Sequence, residues 1–175
     1  MPWHNYAFAS TVLTDKLWLI HQKKDGTFAD QLVLDFSDPD RPGEHRLVVD
    51  ISLSSDDRFL FVTFLMEGTV SVYDVSDPFS PKPVLTDFKV GEQVNMVSQS
   101  WDGKRMYFTS SVFSAWDKRN KKGEYIDQYF KAYSWDGKTF THKLTVDFLK
   151  EELGLPHLMR FGQNQLYGNR LPSKE

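Results

Sequence analysis

The sequence of 175 residues predicts an all-β fold of the β-propeller type, and three observations carry that expectation. The run Ile51-Ser52-Leu53-Ser54-Ser55-Asp56-Asp57-Arg58-Phe59-Leu60-Phe61-Val62-Thr63 returns as Val97-Ser98-Gln99-Ser100-Trp101-Asp102-Gly103-Lys104-Arg105-Met106-Tyr107-Phe108-Thr109, an offset of 46 residues. The dipeptide Asp-Phe recurs at Asp35-Phe36, Asp87-Phe88 and Asp147-Phe148, closing three units in phase. Aromatic residues make up 15% of the chain, and Gly and Pro fall between short apolar runs, as in an all-β chain of many turns. Self-similarity at this period, built from four short strands, is the signature of a propeller blade.

Each copy of the repeat reads as a strand, a tight polar turn at Asp56-Asp57 or Asp102-Gly103, and a second strand, so each is a β-hairpin. In the middle unit, residues 49–53 form the innermost strand, residues 68–75 supply a third and residues 84–88 a fourth. In the last unit the innermost strand is 96–100, and residues 130–134 and 142–148 supply the third and fourth. The first unit begins at the second strand, Tyr6 to Thr11, followed by 16–21 and 31–36. Its turn Lys24-Asp25-Gly26-Thr27-Phe28 mirrors Trp135-Asp136-Gly137-Lys138-Thr139-Phe140.

The expected division is one partial propeller domain over residues 1–175, with blade units at about 5–36, 48–88 and 95–148 and a C-terminal segment at 149–175. Two blades and three quarters of another do not close a ring, which takes 4–8 blades. The expectation is therefore a piece of a larger protein, cut inside a blade, with its N-terminal blades missing and two sheet edges exposed. Helix is expected only within 111–128 and over 148–153, and residues 169–175 read as a polar tail.

A net charge of −3 and the lack of a basic stripe leave no electrostatic footprint for nucleic acid. The basic cluster Lys118-Arg119-Asn120-Lys121-Lys122 reads as a solvated loop. No apolar run is long enough to span a bilayer as a helix, and residues 1–10 carry neither a basic n-region nor an apolar h-region. The compartment, periplasmic or cytoplasmic, stays open. The absence of Cys removes disulfides, thiolate metal sites and Cys nucleophiles from this segment.

In a propeller, loops joining second to third strands share one face with the connections between blades, and that face carries the ligand site. Here those loops are Leu65-Met66-Glu67-Gly68, the insertion 111–128, the crossings around Asp50 and Asn95, and the segment after Phe148. The last places His157 at the mouth. Neutral imidazole is a common ligand of copper and zinc, so His157 reads either as one of several histidines converging on a channel ion or as a partly buried structural histidine. His4, His21, His45 and His142 read as structural or surface residues. Asp56-Asp57 and Glu151-Glu152 read as solvated charge, the latter in a short helix-like stretch. No His-Glu-x-x-His, phosphate loop or Gly-x-Ser-x-Gly is present.

Four segments carry a more specific likeness: Ser54-Ser55-Asp56-Asp57-Arg58-Phe59-Leu60-Phe61, Tyr73-Asp74-Val75-Ser76-Asp77-Pro78, Ser100-Trp101-Asp102-Gly103-Lys104-Arg105-Met106-Tyr107-Phe108-Thr109-Ser110-Ser111, and Ser114-Ala115-Trp116-Asp117-Lys118. They resemble the C-terminal blades of the selenium-binding protein family, whose bacterial members include methanethiol oxidases, in order and over nearly the whole chain. The resemblance implies a seven-bladed propeller oxidoreductase that oxidises methanethiol, a small thiol, with dioxygen and water to formaldehyde, hydrogen sulfide and hydrogen peroxide at a copper site held by histidines. Other members bind selenium through a Cys of the N-terminal half, which has no counterpart here. The family's Leu-Gly-x-x-His falls on Leu153-Gly154-Leu155-Pro156-His157, which makes His157 the implied metal ligand. Two departures stand out: bacterial relatives often carry a second histidine where this chain has Leu158, and Val62-Thr63-Phe64-Leu65-Met66-Glu67 replaces a Trp-containing loop. A non-catalytic propeller binding module for selenium, a thiol or a protein partner is the alternative function.

Overall fold

The computed structural model describes residues 5–159 and 161. His4 and the polar tail at 169–175 lie outside the described residues. Eleven strands form three antiparallel sheets. The first holds β1 (Tyr6–Thr11), β2 (Lys16–Gln22) and β3 (Phe28–Asp35). The second holds β4 (Val48–Leu53), β5 (Phe59–Phe64), β6 (Thr69–Asp74) and β7 (Lys82–Lys89). The third holds β8 (Val97–Gln99), β9 (Arg105–Thr109), β10 (Tyr129–Trp135) and β11 (Phe140–Asp147). Strand order within each sheet follows the chain, the up-and-down meander of a propeller blade.

The expected innermost strands, β4 and β8, fall in different sheets, and the Asp50 carboxylate accepts the Val97 N–H at 2.8 Å across the gap. The repeated hairpin turns have one geometry. Asp57 N–H donates to the Ser54 carbonyl and Gly103 N–H to the Ser100 carbonyl, each at 2.9 Å, with left-handed backbone at Asp57 (φ 58°) and Gly103 (φ 70°). Asp is among the few non-Gly residues that visit this region readily, which lets the first copy dispense with Gly.

β5 is buried at every position because its blade lies between two others. Its alternate side chains serve different cores: Leu60, Val62 and Phe64 join Leu17, Phe36 and Val48, whereas Phe59 and Phe61 join Met106, Phe108, Trp135 and Phe140. A continuous apolar run here is a two-faced strand, not a departure from the period of 2. Two of the three Asp-Phe dipeptides supply inter-blade pegs. Phe36 meets Phe64 edge-on at 5.1 Å, and Phe88 meets Phe140 at 5.2 Å.

Several details differ from the sequence expectation, among them the lack of helix over 111–128 among the described residues. β3 starts at Phe28, earlier than expected, because Asp25 accepts the Thr27 N–H and hydroxyl and closes the turn ahead of it. β8 keeps only three residues. The expected helix-like stretch after Phe148 is a single turn: the Asp147 carboxylate accepts the N–H groups of Leu149 and Lys150, and Glu151 N–H reaches the Asp147 carbonyl. Left-handed backbone at Glu152 (φ 56°) and Gly154 (φ 91°) then stops propagation. No helix occurs among the described residues.

Candidate functional site

The connections expected to share a face are tied together at one end of the sheets. The insertion at 110–128 folds back on the middle blade, where Lys118 Nζ donates to the carbonyls of Met66 (2.8 Å) and Glu92 (2.6 Å). Burial of this ammonium lowers its pKa. Arg119 lies over the Tyr125 ring at 3.7 Å and donates to the Gly123 carbonyl. The expectation of a solvated basic loop is thus corrected for Lys118, whose ammonium joins the insertion to its neighbour, while Arg119, Asn120, Lys121 and Lys122 are exposed as expected. Asp50 also sits differently from expectation, within β4 and two residues past the crossing.

Beneath this face lies a buried polar network that the sequence did not reveal. Gln93 Nε2 donates to the Ser110 carbonyl at 2.9 Å while its Oε1 accepts the Lys118 N–H at 2.6 Å. Ser110 Oγ meets Gln128 Oε1 at 3.0 Å, and Tyr129 Oη donates to the Gln93 carbonyl at 2.5 Å. Asp117 accepts the Ser111 hydroxyl and the Val112 N–H, so its carboxylate organises the start of the insertion. These bonds give the buried polar groups of the network their partners and tie the insertion to the strands around it.

His157 lies on this network with an exposed imidazole. Its main chain is anchored by the Thr109 hydroxyl, which donates to the His157 carbonyl at 2.6 Å, and by the Ser111 N–H, which donates to the preceding Pro156 carbonyl at 3.0 Å. Its Nδ1 is 2.9 Å from the Ser111 carbonyl oxygen and 3.0 Å from Asn95 Nδ2, and that same Asn95 amide donates to the Ser111 oxygen at 2.6 Å. Asn95 is buried and is placed by the Thr63 hydroxyl, which donates to its carbonyl at 2.7 Å. The middle blade, the third blade and the segment beyond it therefore meet at one imidazole.

The other histidines stand apart. His45 Nδ1 is 3.3 Å from the buried carboxylate of Asp15, which also accepts the N–H groups of Arg46 and Leu47 and so shapes the turn into β4. His21 packs edge-on against Phe79, and His142 contacts Thr145 Oγ1. Asp57, expected as solvated charge, is 8% exposed and lies in its turn against the blade interface. Among the described residues no three His, Asp or Glu side chains gather closely enough to hold a metal ion, so His157 can be one ligand but not a complete site.

Three meandering antiparallel sheets packed side by side, with an imidazole at the connections between them, define a protein of the propeller type. Residues 1–163 match the family model described as 56 kDa selenium-binding protein, and the chain belongs to that family. It is 44% identical over 171 residues to a methanethiol oxidase of Ruegeria pomeroyi, covering 96% of this chain and 38% of the relative. It is 47% identical over 160 residues to a methanethiol oxidase of a Hyphomicrobium species, covering 91% of this chain and 35% of the relative. The chain thus spans less than two fifths of the length of these relatives. Among solved structures, a hypothetical selenium-binding protein from Sulfolobus tokodaii superposes with a TM-score of 0.66 at 23% identity, over 84% of this chain and 39% of that one. A periplasmic gluconolactonase of Pseudomonas aeruginosa superposes with a TM-score of 0.56 at 17% identity, over 82% and 39%. These two likenesses show the fold alone, and the second shows how widely it is shared.

Proposed function

We propose that this chain contributes its blades to a propeller of the methanethiol oxidase type, with His157 as one copper ligand and a small thiol as substrate. The observation that carries the reading is the identity of 44% and 47% to two bacterial methanethiol oxidases across more than nine tenths of the chain. The mouth supports it, because His157 is exposed, anchored through its main chain and able to offer a nitrogen donor. On this reading the remaining ligands belong to the part of the relatives' fold that the chain does not match. Copper would supply a soft centre for the thiol sulfur and a route for its electrons to dioxygen. The overall conversion balances: methanethiol, dioxygen and water give formaldehyde, hydrogen sulfide and hydrogen peroxide. This chain's own part is to hold the imidazole in place and to wall the mouth with the insertion.

The alternative, a binding module without catalysis, is favoured by one feature, the lack of a complete metal-ligand cluster among the described residues. The test joins this chain to the unmatched portion of the Hyphomicrobium relative and compares wild type with His157→Ala. Copper content and methanethiol-dependent oxygen consumption should both fall in the variant, since a methyl group replaces a nitrogen ligand. Unchanged copper and unchanged oxygen uptake would remove His157 from the site.

A further inference from the structure

The contacts around His157 settle more than its position. Asn95 Nδ2, the Ser111 carbonyl oxygen and His157 Nδ1 form a nearly equilateral triangle with sides of 2.6, 2.9 and 3.0 Å. Seen from the amide nitrogen, the Ser111 oxygen and the His157 nitrogen are about 60° apart, whereas the two hydrogens of an amide group are about 120° apart. One amide hydrogen aimed at either neighbour therefore leaves the other hydrogen aimed well away from the remaining one. The shorter contact, 2.6 Å to the Ser111 oxygen, takes the hydrogen. Turning the amide over would bring Asn95 Oδ1 against that same carbonyl oxygen, two acceptors in contact, so the amide orientation is fixed.

His157 Nδ1 is then left without a donor directed at it, 2.9 Å from a carbonyl oxygen. An Nδ1 lone pair in that place would face oxygen lone pairs. An Nδ1–H donates to the oxygen, which has a second lone pair to offer. We propose that Asn95 is a positioning residue that, with the Ser111 carbonyl, holds His157 as the Nδ1-protonated tautomer, leaving the lone pair on Nε2.

This inference rests on the reading of His157 as a metal ligand for its purpose, but not for its geometry. A metal-binding imidazole needs a bare nitrogen on one side and gains orientation and basicity from a hydrogen bond on the other. Asn95 is suited to that role because it is buried and is tied to both blades: Thr63 Oγ1 donates to its carbonyl, and its own N–H donates to the Thr109 carbonyl at 2.8 Å. Thr109 in turn holds the His157 carbonyl through its hydroxyl. The imidazole is thus fixed at backbone and ring by groups that share one frame.

The test needs no metal. In the 175-residue chain labelled with ¹⁵N and kept metal-free at pH 8, long-range ¹H–¹⁵N correlation spectra of the imidazole report which nitrogen carries the proton. The wild type should show His157 with protonated Nδ1 and pyridine-like Nε2. Asn95→Ala frees the Ser111 carbonyl to turn, so the Nε2-protonated form should grow to a comparable population. His45 and His142, which do not touch Asn95, should keep their signals and serve as the check that the variant is folded. An Nε2-protonated His157 in the wild type overturns the proposal without recourse to any variant. So does a folded Asn95→Ala chain whose His157 tautomer is unchanged. A copper titration of this chain joined to the unmatched portion of the Hyphomicrobium relative separates the two readings. Loss of the His157 Nε2 signal supports the ligand role, while a clamped tautomer indifferent to copper leaves the clamp standing and removes the ligand.

Discussion

Asp50 reaches from the innermost strand of the middle blade to accept the backbone N–H of Val97 in the innermost strand of the next, at 2.8 Å. Adjacent innermost strands belong to different sheets, so no ladder joins them, and side chains must supply the link. The repeat does not propagate this device. The position equivalent to Asp50 is Met96, whereas the Thr63 hydroxyl that donates to the Asn95 carbonyl does recur, as the Thr109 hydroxyl donating to the His157 carbonyl.

Asp50→Ala should destabilise the chain by about 1–3 kcal/mol, since it leaves a part-buried N–H unpaired as well as removing a charge-assisted bond. Asp50→Asn, which can keep an acceptor oxygen on Val97, should recover most of that loss. Chemical denaturation of the three proteins checks the ranking, and equal stability of Ala and wild type would show that the link contributes nothing.

Tyr129 ties the polar network to the core. Its ring is buried and its hydroxyl donates to the Gln93 carbonyl, and burial, reinforced by the negative charge of Asp127, pushes its pKa far up. A tyrosine that ionises far less readily in the folded state contributes stability that is fully present below the unfolded value, about 10, and is lost as pH rises beyond it. Melting temperature should therefore drop steeply above about pH 10, and Tyr129→Phe should flatten that slope. The same variant should cost about 1–3 kcal/mol at neutral pH through the unpaired Gln93 carbonyl.

At the acid end the hairpin turns govern. The Ser100 hydroxyl, followed by the Lys104 N–H, holds the Asp102 carboxyl below the ordinary range, and Ser76 does the same for Asp74. A depressed folded pKa contributes stability that is present above the unfolded value, about 4, and is lost as pH falls through the folded one. Ser100→Ala should raise the Asp102 pKa toward its ordinary value and remove part of this acid sensitivity. Carboxyl chemical shifts followed by NMR through the titration measure it directly, and an unmoved Asp102 would rule out the hydroxyl as the cause.

The hairpins were legible because turn and strand are local: Asp56-Asp57 and Asp102-Gly103 announce the turns, and the alternation around them sets the faces. The pegs Phe36 and Phe88 were legible as a recurring dipeptide, though not as contacts. Gln93, Ser110 and Gln128 were not legible, since polar residues near strand ends look like ordinary turn residues until a distant segment covers them. That cover is the insertion, whose return depends on Lys118 meeting two carbonyls of the neighbouring blade. His157 could be placed at the mouth from strand counting, whereas its partners Asn95 and Ser111 depend on a junction between blades. Asp57 misled because a charged pair in a turn is usually solvated, and here the turn lies against another blade.

Gly91, at the crossing from the middle blade to the third, offers a test of how closely the insertion is packed. A Cβ placed on it would lie 2.4 Å from Tyr129 Cε1 and 2.4 Å from Asp127 Oδ2. Neither neighbour can give way freely. Tyr129 is held by the Gln93 carbonyl, and Asp127 accepts the Glu92 N–H at 2.5 Å. Gly91→Ala should therefore destabilise by about 1–3 kcal/mol through overpacking, although Gly→Ala at a backbone conformation open to Ala ordinarily stabilises. The backbone must shift at the residue that leads into Gln93, so protection of the Lys118 amide from hydrogen exchange should fall with stability. Unaltered stability and unaltered exchange at Lys118 would show that the insertion is not seated against this crossing.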